Sequence, residues 1–118
     1  HWFMTQKDTK IEGFTESIWS GVSTIELARA VESSIDKNLT GLHHVTNNQV
    51  INKFELLSLF QKHTKKDIKI IKVSGRETDK SFMDTRNNLD ISIPSYDQMI
   101  KEMVELIHTK NDLYEQYN

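Results

Sequence analysis

Residues 18–31 read Ile-Trp-Ser-Gly-Val-Ser-Thr-Ile-Glu-Leu-Ala-Arg-Ala-Val, and they predict a short apolar strand that turns sharply into an amphipathic helix. Ser23, followed three residues later by Glu26, has the pattern of a capping box, in which each side chain satisfies a backbone N–H at the helix start. Gly21 gives the turn backbone angles that a side chain would forbid. The rest of the chain is interpreted outward from this strand, turn and helix.

The predicted helix has one apolar side, which we expect to face a core. Its apolar residues recur at helical spacing: Leu27, Ala28, Val31 and Ile35. Val22, just before the cap, is spaced to pack on Leu27 as a hydrophobic staple. We expect the helix to end near residues 34–37.

Three stretches have the composition of strands. Residues 10–15 alternate polar and apolar side chains, residues 42–46 follow a turn, and residues 68–73 are rich in β-branched side chains. Residues 74–88 form a polar stretch that we expect to be irregular.

Two more helices follow from capping patterns. Asn52 with Glu55 is a second capping box, and Ile51 with Leu56 is a second staple, for a helix ending near residues 63–66. Ser95, directly after Pro94, begins a long C-terminal helix through a third box with Gln98. The apolar stripe of that helix comprises Tyr96, Met99, Ile100, Met103, Val104, Ile107 and Tyr114, and we interpret it as packing rather than as a cofactor site.

The order strand, helix, strand, helix, strand, loop, helix predicts an α/β fold with right-handed crossovers. At 118 residues the chain is long enough for one domain with a single core. We therefore expect one small domain, residues 1–118, with a short, mainly parallel sheet and about three helices.

Composition excludes several classes of function. The chain is 36% apolar and 27% charged with a net charge of −2, as in soluble globular domains, and no apolar run reaches membrane-spanning length. A slightly acidic domain with only a modest lysine patch does not favour nucleic-acid binding. The chain has no cysteine, which excludes disulfides and thiolate metal sites. We expect a cytoplasmic protein with neither a membrane nor a nucleic-acid partner.

Cofactor and metal motifs are missing as well. The four glycines, Gly13, Gly21, Gly41 and Gly75, lie far apart, so they form no dinucleotide fingerprint and no phosphate loop. His43 and His44 are adjacent on a predicted strand and would point to opposite faces, which disfavours a shared metal. No catalytic group can be assembled from the residues alone.

The chain opens on His1-Trp2-Phe3-Met4, although terminal residues are usually polar and loosely held. We therefore expect that the sequence is cut from a longer protein. We also expect that Trp2 and Phe3 have lost part of what they pack against.

Five motifs in order resemble a known family. They occupy residues 19–28, 41–46, 51–57, 79–86 and 93–96. Together they are similar to the C-terminal part of extended short-chain dehydrogenases/reductases that act on nucleotide sugars. The similarity is greatest to the dTDP-4-dehydrorhamnose reductase-like, sugar-nucleotide-binding branch, and it extends over residues 11–114.

This resemblance implies a C-terminal substrate-binding domain of an NADP-dependent reductase or epimerase. The enzyme would act on a 4-keto deoxysugar nucleotide in bacterial surface polysaccharide synthesis. The family's N-terminal Rossmann domain, which carries NADP(H) and the catalytic Tyr-x-x-x-Lys pair, is absent here, and Tyr96 with Lys101 has the wrong spacing. Arg76 precedes Glu77 where the family has Arg-Pro. The implied partners are a nucleotide-activated sugar and that Rossmann domain, and the fragment alone would hold no cofactor and be inactive.

The resemblance also implies substrate-binding residues. Trp19 lies in the strand-to-helix turn, and Arg76 and Arg86 lie in the late polar stretch, where guanidinium groups could bind a diphosphate. Ordinary packing is the alternative for Trp19, and solvated loop charge is the alternative for the arginines and for Lys80. We expect Ser81 and Asp84 to order the loop through hydrogen bonds to backbone.

Two other functions remain open at this point. One is a non-catalytic binding or regulatory module on the same scaffold, because a fold does not determine a function. The other is a protein-interaction module that uses the methionine-rich stripe of the C-terminal helix.

Overall fold

The computed structural model describes residues 1–86 and 91–117 and has an α/β fold. This confirms the predicted fold class and, within the described residues, the three helices. The strands are β1 (Lys10–Phe14), β2 (Ser17–Trp19), β3 (Ile51–Asn52), β4 (Lys69–Val73) and β5 (Thr78–Lys80). The helices are α1 (Thr24–Asp36), α2 (Lys53–Thr64) and α3 (Tyr96–Thr109), followed by two short 3-10 turns (Asn111–Leu113 and Glu115–Tyr117).

The strands form two small sheets instead of one. β1 pairs in parallel with β4, from Lys10 opposite Lys69 to Phe14 opposite Val73. In the other sheet, β2 lies between β3 and β5; it is antiparallel to β3 and parallel to β5. The prediction of mainly parallel pairing is therefore confirmed.

Helix α2 packs against both sheets and against α3, and it contributes to two apolar clusters. The first cluster comprises Phe3, Ile11, Leu57 and Ile68, with Phe60 packed on it. The second comprises Ile51, Tyr96 and Met99, with Val22, Leu56, Leu59 and Ile93 packed on it. Phe3 is buried, so the expectation that it has lost part of what it packs against is wrong, whereas Trp2 is half exposed.

The capping pattern of α2 forms as predicted. The Asn52 side chain accepts a hydrogen bond from the Glu55 N–H at 2.8 Å, and the Asn52 N–H donates to the Glu55 carboxylate at 3.3 Å. At α3, the Ser95 hydroxyl accepts from the Gln98 N–H at 3.3 Å. These bonds satisfy N–H groups of the first helical turn, which have no carbonyl acceptor within the helix.

The capping pattern of α1 forms only in part. Ser23 accepts from the Glu26 N–H at 3.3 Å, but the Glu26 carboxylate is bound by Arg29 at 2.5 Å. Arg29 also binds Glu102 on α3, with an Nη1–Oε2 distance of 3.0 Å. Glu26 is buried, and a buried carboxylate needs a partner for its charge. The Arg29 guanidinium supplies that partner and also links α1 to α3.

The apolar side of α1 does not face a core, contrary to the prediction. Leu27, Val31 and Ile35 are 47%, 51% and 70% exposed, and the buried residues of the helix are Glu26 and Ala30. The predicted staple is also wrong, because Val22 packs on the second cluster while Leu27 faces outward. Leu27, Val31 and Ile35 recur at helical spacing as predicted, but the described residues form no apolar surface that covers them.

Residues 42–46 were predicted as a strand and have no regular structure. A strand needs a neighbour for its backbone groups, and neither sheet includes this segment. The stretch predicted to be irregular contains β5, which pairs with β2, and its last residues, 87 and 88, lie outside the described residues.

Helix α3 is shorter than predicted. It ends at Thr109, so Tyr114 lies beyond it, between the two 3-10 turns. The cause is local, because threonine, asparagine and aspartate near this point are weak helix formers. The other stripe residues include the buried Tyr96, Met99, Ile100, Val104 and Ile107. They are core residues and do not offer an interaction surface.

Within the described part of the chain, none of the helices combines the length and the apolar character that crossing a bilayer requires.

Candidate functional site

Trp19 ends β2 and lies over the turn that leads into α1. A Cβ atom on Gly21 would lie only 2.1 Å from the indole ring, so glycine is required for this close approach. The indole also contacts Tyr96, with ring centroids 6.1 Å apart. Because 37% of Trp19 remains exposed, the side chain both closes the turn and offers part of its ring to the surface.

Tyr96 fixes the other side of this turn. Its hydroxyl donates to the Gln49 carbonyl at 2.8 Å, which joins the start of α3 to the segment before β3. Burial raises the pKa of Tyr96, and a hydrogen bond with the Gly21 backbone opposes the rise. The phenol therefore stays protonated and acts as a hydrogen-bond donor at neutral pH.

Arg76 lies between β4 and β5, in a tight turn with left-handed backbone at Gly75 (φ +101°) and at Arg76 itself (φ +52°). Ser17 at the start of β2 donates to the Arg76 carbonyl at 2.8 Å, and the Glu16 carboxylate accepts from the Gly75 N–H at 2.8 Å. The guanidinium is 4.6 Å from the centroid of the Phe14 ring. The turn thus places a cation at the carboxyl end of β1.

Arg86 lies elsewhere. Its guanidinium donates to the Leu42 carbonyl at 2.8 Å, next to a small cavity of about 180 Å³ lined by Leu42, His44, Asp84, Thr85 and Arg86. Its backbone N–H donates to the Asp84 carboxylate at 3.1 Å. In this position Arg86 ties the polar loop to residues 42–46.

The polar loop is fixed by side chains that hydrogen-bond to backbone. Asn48 exchanges two hydrogen bonds with the backbone of Asp84, and the Ser20 hydroxyl exchanges two with the backbone of Phe82. Hydrogen bonding to the Ser81 side chain, and to the Ser81 N–H at 2.8 Å, lowers the pKa of the Asp79 carboxyl group. Lys80, opposite Trp19 in the β2–β5 pair, is exposed.

The structure brings two of the three predicted site residues to the same strand by different routes. The Arg76 carbonyl accepts from Ser17 at the start of β2 while its guanidinium lies over Phe14 on β1, and Trp19 ends β2. Arg86 is not part of this arrangement. The roles of all three in binding substrate stay predictions.

Sequence reasoning missed Lys53, the first residue of α2. Its ammonium is 5.6 Å from the centroid of the same Phe14 ring that Arg76 covers, and 5.2 Å from that of Trp2. The available signal was a lysine directly after a predicted cap, but nothing local indicates which strand end it meets. This site can bind an anion beside an aromatic surface.

The side chains of the described residues do not favour a metal-binding site. Across residues 1–86 and 91–117, no three or more His, Asp or Glu side chains are grouped so that they could hold a metal ion. His63, for example, is bound to Asp97 at 2.9 Å, between α2 and α3.

Comparison with known proteins identifies the fold. No protein-family model and no curated protein matches the chain. Among solved structures, it is similar to a dTDP-4-dehydrorhamnose reductase from Bacillus anthracis in complex with NADP, with a TM-score of 0.73 and 19% identity over 91% of this chain. It is also similar to a dTDP-4-dehydrorhamnose reductase ortholog from Clostridium acetobutylicum (TM-score 0.69, 17% identity, 89% of this chain).

The same fold occurs in a dTDP-glucose 4,6-dehydratase from Bacillus anthracis in complex with NAD, with a TM-score of 0.68 and 13% identity over 99% of this chain. The chain spans 40%, 41% and 41% of the length of these three structures. At such identities the likeness is one of fold, and it covers less than half of each larger protein.

Proposed function

We propose that this chain is the nucleotide-sugar-binding domain of an NADP-dependent reductase or epimerase of the dTDP-4-dehydrorhamnose reductase-like type. The observation that carries the proposal is the fold shared with 40% of a dTDP-4-dehydrorhamnose reductase. The substrate would be a 4-keto deoxysugar nucleotide, and the pathway would be cytoplasmic synthesis of a bacterial surface polysaccharide.

The cation and ring at the end of β1 support a nucleotide-sugar ligand. A guanidinium can bind a diphosphate through two parallel hydrogen bonds, and an aromatic surface suits a planar base or a sugar face. Arg76 over Phe14 offers the guanidinium, and the partly exposed ring of Trp19 at the end of β2 offers the aromatic surface.

The chain's own residues do not fit a dinucleotide cofactor. The N-termini of α1 and α2 are capped by Ser23 and Asn52, and a glutamate lies in the first turn of each helix. A pyrophosphate would need a glycine-rich turn at such a helix start. NADP would therefore be held by a separate Rossmann domain, and this chain alone would be inactive.

That Rossmann domain is also the partner we propose for the apolar side of α1. The helix exposes Leu27, Val31 and Ile35, and residues 42–46, which follow it in the chain, have strand-like composition without a strand to pair with. A partner domain that presents an apolar surface and a sheet edge would satisfy both features. Hydrogen exchange on the isolated chain should show rapid exchange at residues 42–46; strong protection there would contradict the proposal.

Calorimetry with the isolated chain tests the proposed ligand. dTDP-glucose should bind at least tenfold more tightly than glucose 1-phosphate, because the diphosphate adds charge-assisted hydrogen bonds. Arg76→Lys should weaken dTDP-glucose binding several-fold, since lysine keeps the charge but loses the bidentate geometry. Trp19→Ala should weaken it as well. No binding of dTDP-glucose, or equal affinity for the two ligands, would overturn the proposed function.

A further inference from the structure

Residues 1–5 form a short turn that packs on helix α2, and we call this segment the N-terminal strap. The Thr5 N–H donates to the His1 carbonyl at 3.2 Å, which closes the turn. Phe3 is 4% exposed, and its ring packs on that of Phe60 in α2, with centroids 5.6 Å apart. The strap is therefore part of the packed structure, because its central side chain belongs to the first apolar cluster.

Two lysines from opposite ends of α2 contact the strap. Lys66, two residues past the end of the helix, donates to the Phe3 carbonyl at 3.2 Å and to the Met4 carbonyl at 2.5 Å. Lys53, the first residue of the helix, places its ammonium 5.2 Å from the centroid of the Trp2 ring. Charge-assisted hydrogen bonds therefore hold the strap backbone at one end of α2, and a cation–ring contact holds Trp2 at the other.

Lys53 connects the strap to the candidate site. The same ammonium that contacts Trp2 is 5.6 Å from the centroid of the Phe14 ring, and the Arg76 guanidinium is 4.6 Å from that centroid. Two cations on one ring lie within about one Debye length of each other, about 8–10 Å, so the position of each affects the other. A change at Trp2 therefore changes the surroundings of Arg76 through one lysine and one ring.

We propose that the N-terminal strap regulates the candidate site by setting the position of Lys53 beside Arg76. With the strap in place, the Trp2 ring restrains a lysine that otherwise has large rotamer freedom, and the two cations keep a fixed arrangement on Phe14. Because Trp2 is half exposed, its contact with Lys53 can open without disturbing the core. The inference rests on the proposed function for what the site binds.

NMR of the 118-residue chain tests this coupling without any ligand. Trp2→Ala should shift the resonances of the Phe14 ring and of the Arg76 side-chain N–H groups, because Lys53 loses one of the two rings that it contacts. Trp2→Phe should restore most of the parent chemical shifts, since a phenyl ring also attracts an ammonium group. A purely structural role of the indole in the strap would leave the Arg76 resonances unchanged.

A second variant acts at the other end of α2. Lys66→Gln removes the ammonium that binds the two strap carbonyls, and it should speed hydrogen exchange of the Thr5 N–H about tenfold. It should also shift the Arg76 resonances in the same direction as Trp2→Ala does. Lys65→Gln is the matched control, because Lys65 is the exposed neighbour in the chain, and it should leave both measurements at the parent values.

Calorimetry with dTDP-glucose separates the inference from the proposed function. Trp2→Ala should weaken binding about two- to fivefold, because the parent site is preorganised. If the Arg76 resonances do not move in Trp2→Ala, or if Lys65→Gln moves them as much as Lys66→Gln does, the inference is wrong whatever the chain binds. If they move and binding is unchanged, the strap does not regulate the site. If they move and the parent chain does not bind dTDP-glucose, the proposed function is overturned and the coupling stands.

Discussion

Helices α1 and α2 begin in the same way and end in different surroundings. Each is capped by a side chain that accepts from a glutamate N–H three residues on, and they contain 13 and 12 residues. Helix α2 packs on the β1–β4 pair and on α3, whereas α1 leaves its apolar side exposed. Local sequence thus determines that a helix forms, but the burial of its apolar side depends on what the rest of the protein brings to it.

Two leucines in the N-terminal halves of the two helices should give the largest difference. Leu57→Ala on α2 removes a side chain that is 4% exposed and should lower the free energy of unfolding by about 2–5 kcal/mol. Leu27→Ala on α1 should change it by no more than about 0.5 kcal/mol, because no buried contact is lost. Urea denaturation of both variants measures the contrast, and equal losses would show that α1 is covered in solution.

Alanine substitutions at two glycines compare the packing at the starts of α2 and α1. Gly13→Ala would place a Cβ against the backbone of Phe54 in α2 and should cost about 1–3 kcal/mol of stability, because the helix must move. Gly21→Ala, before α1, would place a Cβ against the partly exposed indole of Trp19, which can move outward at a smaller cost. Its signature should be a red-shifted tryptophan emission. An unchanged spectrum together with an unchanged midpoint would contradict this packing of Trp19.

The smallest effect concerns the polar link between α2 and α3. Hydrogen bonds from Lys62 at 2.7 Å and from His63 at 2.9 Å hold the pKa of the Asp97 carboxyl below its usual range. Because this pKa is lower in the folded state, Asp97 stabilises the fold above its unfolded pKa, about 3.9, and the contribution is lost as pH falls through the folded value. Asp97→Asn should therefore be less stable than the parent chain at pH 7, and the difference should shrink as the pH falls below about 3.9. A pH-independent difference in urea midpoints would refute this account.

Sequence reasoning predicted the features that depend on neighbours in sequence. The capping residues Ser23, Asn52 and Ser95 mark the three helix starts, and the β-branched run of β4 lies where it was predicted. The strand prediction for residues 42–46 was wrong, because strand-like composition after a turn gives a strand only where a pairing partner exists. The exposure of Leu27 on α1 was missed for the same reason.

The candidate site was predicted in part. Arg76 and Trp19 were identified from their place in the chain, and the structure bonds the Arg76 carbonyl to the start of the strand that Trp19 ends. The meeting of Arg76 with Lys53 over Phe14 could not be read from the sequence. It follows from the parallel pairing of β1 with β4, which no local pattern encodes.

That pairing also has a consequence for folding kinetics. The hydrogen bond from the Thr15 side chain to the Val73 carbonyl joins residues 58 apart in sequence, and the chain between them includes α1, β3 and α2. Closing such a loop costs entropy before any contact rewards it, so parallel pairs of this kind form slowly. The meeting of Arg76 and Lys53 at Phe14 should therefore be among the last features to assemble during refolding, after α1 and α2 have acquired their helical circular dichroism.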